Sequence, residues 1–152
     1  MCWQIFFEKN LPTHPCLKHF PHLETEKMPP NQIAMKILFC TLEDVLLTTL
    51  EYRFRKKGWQ LSVAKTARRA LDMAKKELPD VLVIDLELPE YEGLDIVQHF
   101  RKQIHPTVPL LTIAPAEEES LLFESLRLGA NDFILKPLKP DELMLRIRRW
   151  LA

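Results

Sequence analysis

Val81-Leu82-Val83-Ile84 is an unbroken, mostly β-branched apolar run that ends in Asp85 and continues into Leu86-Glu87-Leu88-Pro89. A strand with no polar face must be covered on both sides, which is the situation of a strand in a parallel sheet sandwiched between helices. Asp85 then stands at the C-terminal edge of that sheet, where open α/β folds collect their binding and chemical groups.

The rest of the chain from Met35 onward supports such a sheet. Ile37-Leu38-Phe39-Cys40 is a short apolar strand, and Leu46, Leu50 and Phe54 carry helical spacing from Glu43 to Lys57, closed by Gly58. Residues 59–63 alternate as a second strand, and 66–78 is an Ala-rich helix ended by Pro79. Strand 81–85, helix 93–102, strand 108–113, helix 117–128, strand 131–135 and helix 140–151 follow. Pro109 is tolerated where a strand opens, and Pro140 suits a first helical turn. Five β/α units predict a doubly wound five-stranded parallel sheet in a three-layer sandwich, with right-handed crossovers.

Residues 1–34 have a different character. Pro12, Pro15, Pro21, Pro29 and Pro30 interrupt them and no period is sustained, so they read as an extended or disordered extension ahead of a domain over 35–152. Cys2, Cys16, His19 and His22 are residue types that ligate zinc, but their spacing matches no common zinc module. Lys+Arg and Asp+Glu balance at 21 each, which gives no reason to expect direct nucleic-acid binding. The basic clusters Arg53, Arg55, Lys56, Lys57 and Arg146, Arg148, Arg149 fall at predicted helix C-termini, where cations complement the helix dipole. No apolar run is long enough to span a bilayer, and three cysteines without paired spacing fit a reducing compartment. A cytoplasmic protein without a membrane partner is the expectation.

Three strand ends compose the predicted site: Cys40-Thr41-Leu42-Glu43-Asp44, Asp85, and Leu135-Lys136-Pro137. Asp85 and Lys136 at one sheet edge predict an ion pair over a pocket, against the plainer reading of a surface salt bridge of little energetic weight. Pro137 restricts the backbone where Lys136 is aimed.

These residues carry a resemblance. Met35-Lys36-Ile37-Leu38, Pro79 to Asp85, Leu88-Pro89-Glu90-Tyr91-Glu92-Gly93-Leu94, Pro109-Leu110-Leu111 and Gly129 to Pro137 occur in order with normal spacing. Together they make residues 35–151 resemble the receiver domain of two-component response regulators, with flavodoxin-like strand order 2-1-3-4-5. The resemblance implies phosphorelay signalling rather than an enzyme. It makes Asp85 the acceptor of a phosphoryl group from a sensor histidine kinase or phosphotransfer protein. It makes Lys136 the phosphoryl contact and Phe133 the aromatic switch residue, with Pro89 and Gly93 shaping the loop after the acceptor. It also implies docking on the first helix, near Tyr52, and a homodimer face formed by the fourth helix, fifth strand and fifth helix. Leu121, Leu122, Phe123, Leu143, Ile147 and Trp150 lie on those helices, as core cover or as a contact face. No output domain is expected after residue 152, and with it an effect through a partner or a second copy.

Three positions depart from the family pattern. The acidic pair that holds a divalent cation falls on Thr41 and Leu42. The hydroxyl residue that closes strand four falls on Ala114, whose 22-residue spacing to Lys136 is the usual one; Thr112 lies two residues deeper. With the pair missing, Asp85 faces Lys136 directly, which argues against tight Mg²⁺ binding. The remaining acidic candidates are Glu43 and Asp44, if the register slides by two, and Glu87, if extended geometry persists beyond Asp85; a solvated loop glutamate is the plainer reading of Glu87. Two functions compete: an atypical phospho-receiver acting through Asp85, and a pseudo-receiver that works as a protein-interaction module without phosphorylation. A hydrolase or a dinucleotide-dependent reductase does not fit a chain with three glycines and no G-x-S-x-G.

Overall fold

The computed structural model of the protein describes residues 34–89 and 92–151. The extension read over 1–34, Ala34 apart, lies outside the described residues, together with the zinc candidates Cys2, Cys16, His19 and His22 and with Glu90 and Tyr91 of the loop after Asp85.

Five β/α pairs run in order: β1 (Lys36–Cys40), α1 (Asp44–Lys56), β2 (Gln60–Ala64), α2 (Ala67–Glu77), β3 (Val81–Asp85), α3 (Glu92–His99), β4 (Leu110–Ala114), α4 (Glu119–Arg127), β5 (Asp132–Leu135) and α5 (Pro140–Leu151). The strands form one parallel sheet, as the alternation predicted, in the order 2-1-3-4-5 that the resemblance implied. Alternate side chains of each strand serve opposite layers. Ile37, Phe39, Val81, Val83, Leu111, Ile113 and Ile134 pack against Leu50 and Phe54 of α1 and against Leu143, Met144 and Ile147 of α5. Leu38, Cys40, Leu82, Ile84, Leu110 and Ala114 face α2, α3 and α4. β3 is central and fully buried, so Asp85 is delivered to the middle of the C-terminal edge.

Element ends move by a residue or two for local reasons. Thr66 caps α2 by accepting the Arg69 N–H instead of joining the helix, and Gly58 follows α1 with φ +72°. Trp59 tilts against Phe54, and β2 starts one residue later than predicted. The third helix gives way to a π-helical segment over Phe100–Ile104, closed by the His105 N–H on the Phe100 carbonyl at 2.9 Å. Periodicity at 3.6 residues carries no signal for such a turn. Arg101 projects from it and donates to the carbonyls of Gly129 (2.7 Å) and Val108 (2.5 Å) and to Asn131 Oδ1. β4 begins at Leu110 rather than at 108.

Candidate functional site

β1, β3 and β5 each release one functional side chain at the same sheet edge. Asp85, the last residue of β3, is 5% exposed. Its Oδ1 accepts the backbone N–H of Glu87 at 3.0 Å, and its Oδ2 accepts both the Thr41 hydroxyl at 3.1 Å and Lys136 Nζ at 2.9 Å. Lys136 follows β5 directly, its own N–H pairing with the Ala114 carbonyl at 2.9 Å, and its peptide bond to Pro137 is cis. Gly93, in the first turn of α3, lies close under the acceptor: a Cβ there would lie 3.0 Å from Leu86 Cα and 3.1 Å from the Asp85 carbonyl oxygen.

Lys136 reaches three carboxylates at once: Asp85, Glu43 at 2.5 Å and Glu87. Burial works against the charged ammonium, but hydrogen bonds to Glu43, Glu87 and Asp85 outweigh it and hold the lysine above its ordinary value. On the other layer of the sheet, burial pushes the Cys40 thiol up to about 12, helped by the nearby charges of Asp85 and Glu92.

The acidic candidates separate. Glu43 and Glu87 come to the site, and one carboxylate oxygen from each lies within 4.8 Å of the others and of Asp85. Asp44 does not: it faces away from the pocket and pairs with Lys65. Glu43 arrives without the register slide, because β1 ends at Cys40 and Glu43 is the uncapped residue before α1, its side chain left over to reach Lys136. Glu87 is exposed in its loop, as the plainer reading has it, yet it also has a partner. The turn that brings its N–H onto Asp85 Oδ1 also carries its carboxylate to Lys136. The pocket therefore holds three carboxylates and one ammonium, not an isolated Asp85–Lys136 pair.

Ala114 is fully buried at the end of β4 and presents no donor. Thr112 does not replace it. The Ser125 proton goes to the Leu122 carbonyl at 2.7 Å, so Thr112 donates to Ser125 Oγ at 2.8 Å, inside the α4 interface. Phe133 is partly buried against the same layer. Trp150 gives its indole N–H to Asp132, which also binds Arg146 and Arg149, while Phe123 is 55% exposed.

Thr41 is the residue that the sequence reading registered only as an absent acid. A hydroxyl one step past β1, beside a strand that ends in aspartate, was the available signal.

A doubly wound sheet with an aspartate on its central strand and a lysine after its last strand defines the class as a CheY-like α/β module. The response regulator receiver domain family matches residues 27–148, and the chain belongs to it. The transcriptional regulatory protein CreB of Escherichia coli K12 is 31% identical over 109 residues, 72% of this chain and 47% of CreB. The alkaline phosphatase synthesis transcriptional regulatory protein PhoP of Bacillus subtilis is 32% identical over 113 residues, 74% of this chain and 47% of PhoP. The chain thus spans about half the length of these relatives. Chemotaxis response regulator CheY4 of Vibrio cholerae superposes with a TM-score of 0.70 at 23% identity, over 77% of this chain and 98% of that one, a likeness of fold. The protein carries a receiver domain of two-component signalling.

Proposed function

We propose that the domain relays a signal by accepting a phosphoryl group on Asp85 from a histidine kinase or phosphotransfer protein. The observation that carries this reading is the electrostatic setting of Asp85. The carboxylate is buried, oriented through both oxygens, and faced by an ammonium that can follow charge onto a phosphoryl group. In the reaction one Asp85 oxygen forms a bond to phosphorus while the bond from phosphorus to the donor breaks, its electron pair leaving with the donor. No redox change occurs. Lys136 neutralises charge on the transferring oxygens, and Glu87 N–H holds the acceptor in place.

The donor set suits Mg²⁺. Glu43, Asp85 and Glu87 offer hard carboxylate oxygens grouped within 4.8 Å, and three carboxylates against one ammonium leave two uncompensated negative charges. These three residues would hold the ion, which when bound supplies further neutralisation of phosphoryl charge.

The reading places the domain in the cytoplasm as a signalling module without an enzymatic activity of its own. Among the described residues no helix is long and apolar enough to cross a membrane. Exposed Phe123 and Leu135 support pairing of two copies through α4, β5 and α5. The pseudo-receiver reading draws on a different observation, the Lys136 ammonium already bound by all three carboxylates, together with the missing hydroxyl at Ala114.

Intact-mass measurement after incubation with acetyl phosphate, with and without Mg²⁺, separates the two. A Mg²⁺-dependent phosphoryl adduct that is absent from Asp85→Asn is expected. No adduct at any Mg²⁺ concentration refutes phosphorylation and leaves the interaction module.

A further inference from the structure

One hydroxyl does touch the acceptor, from the flank opposite the missing one. β3 lies between β1 and β4, and Ala114 at the end of β4 has nothing to donate. Thr41, just past β1, is 1% exposed and gives its proton to Asp85 Oδ2 at 3.1 Å. Thr41 Oγ1 in turn accepts the backbone N–H of Glu43 at 3.1 Å. Glu43 is the residue from which α1 starts, and its side chain makes no capping bond to the helix. The entry to α1 is therefore tied to Asp85 through a single hydroxyl oxygen.

We propose that Thr41 is a positioning residue that senses the chemical state of Asp85 and passes it to the first turn of α1. This inference rests on Asp85 being the phosphoryl acceptor. In the free carboxylate the negative charge lies on the two oxygens that Thr41, Lys136 and Glu87 N–H bind. In the acyl phosphate that charge moves to the phosphoryl oxygens, and the remaining Asp85 carbonyl is a weaker acceptor. Bonds to charged acceptors are about twice as strong as neutral ones, so a buried hydroxyl follows the charge. A β-branched side chain does so by changing between staggered wells, which swings Oγ1 off the Glu43 N–H. The released N–H and the Glu43 carboxylate, which loses part of Lys136 to the phosphoryl group, both belong to the start of α1. Leu42 (50% exposed) and Val45 (92% exposed) flank that turn, so the rearrangement is displayed at the surface. The other route has no equivalent link, since Ala114 offers no hydroxyl through which the phosphoryl group would draw Phe133.

The test uses the full ¹⁵N-labelled chain with acetyl phosphate and Mg²⁺, with intact mass giving the adduct fraction in each sample. The wild type, Thr41→Ser and the isosteric Thr41→Val are compared, with Thr41→Ala as a second hydroxyl-free variant in case Thr41→Val does not fold. Amide shifts of Glu43 and Asp44, normalised to adduct fraction, are expected to be large in the wild type and Thr41→Ser. They should fall at least about twofold in the hydroxyl-free variants, because the charge-following donor is gone. Adduct in a hydroxyl-free variant with undiminished shifts overturns the inference and leaves the phospho-receiver standing. Adduct in Thr41→Ser but in neither hydroxyl-free variant also overturns it, by making Thr41 a requirement for acylation itself. No adduct in the wild type refutes the receiver reading and the inference with it.

Discussion

Replacing Lys136 by methionine removes one ammonium from three carboxylates and keeps the side-chain length. The three contacts are unequal. The side chains of Glu43 and Glu87 are 51% and 46% exposed, so their share is near that of surface pairs, under about 1 kcal/mol each. The Asp85 side chain is 6% exposed and cannot swing into water. At 2.9 Å and an effective dielectric of about 20, its gross attraction to Lys136 is about 6 kcal/mol. Much of this is offset in the variant, because Asp85 keeps the Thr41 hydroxyl and the Glu87 N–H and is not orphaned. Breaking a well-buried pair costs about 3–5 kcal/mol, and the 15% exposure of Lys136 puts this one at the lower end, about 3 kcal/mol. For a domain of this size the melting temperature should fall by roughly 10–15 °C. Urea unfolding at low salt without divalent cations measures it, in a double-mutant cycle with Asp85→Asn. Asparagine leaves no charge to strand, so the second change should recover most of the loss, with a coupling of about 2 kcal/mol. A loss below about 1 kcal/mol, or a coupling below about 0.5 kcal/mol, would refute the assignment of the energy to the Asp85 contact.

Arg101 is the second structural anchor. Its partly buried guanidinium binds the Gly129 and Val108 carbonyls and Asn131 Oδ1, with longer contacts to His105 and Pro106, and hydrogen bonds to charged groups are worth about 1.5–3 kcal/mol. Arg101→Met should cost about 3 kcal/mol in urea unfolding, and a loss under about 1 kcal/mol would show that water replaces the cage. Alkaline pH should weaken the fold in two stages. The Cys40 thiol is raised from 9.0 to about 12, so the stability it confers is complete below pH 9.0 and is lost between 9.0 and about 12. Lys136 is raised above 10.5, so its contribution is complete below pH 10.5 and is lost above it. Unfolding free energy measured from pH 7 upward should fall through these windows, with Lys136→Met lacking the upper part; a flat profile contradicts both shifts. In the same range Cys40 should resist thiol reagents until the chain unfolds.

Much of the fold was legible because it rests on patterns that survive without tertiary context. Val81 to Ile84 had to be buried on both faces, Gly58 and Pro79 had to end helices, and five alternations left one economical sheet. The π-helical segment after His99 was not legible, because it has no period and Arg101 is an ordinary charged residue until four carbonyls and an amide surround it. Asp85 and Lys136 were readable as neighbours, since parallel strands deliver their C-terminal residues to one edge.

Hydrophobic period and chain direction were enough for a parallel sheet and for the edge at which Asp85 stands, whereas the strand order came with the family resemblance. Which acids join Asp85 depends instead on packing. Glu43 and Asp44 are adjacent and chemically alike, yet one meets Lys136 and the other Lys65. Glu43 is still extended, at φ −78° and ψ 108°, whereas Asp44 is the first helical residue, so their side chains diverge and the choice depends on where α1 docks. Thr41 shows the same limit. Counted along the chain it is a missing carboxylate, and only the packing of β1 beside β3 makes its hydroxyl a partner of Asp85.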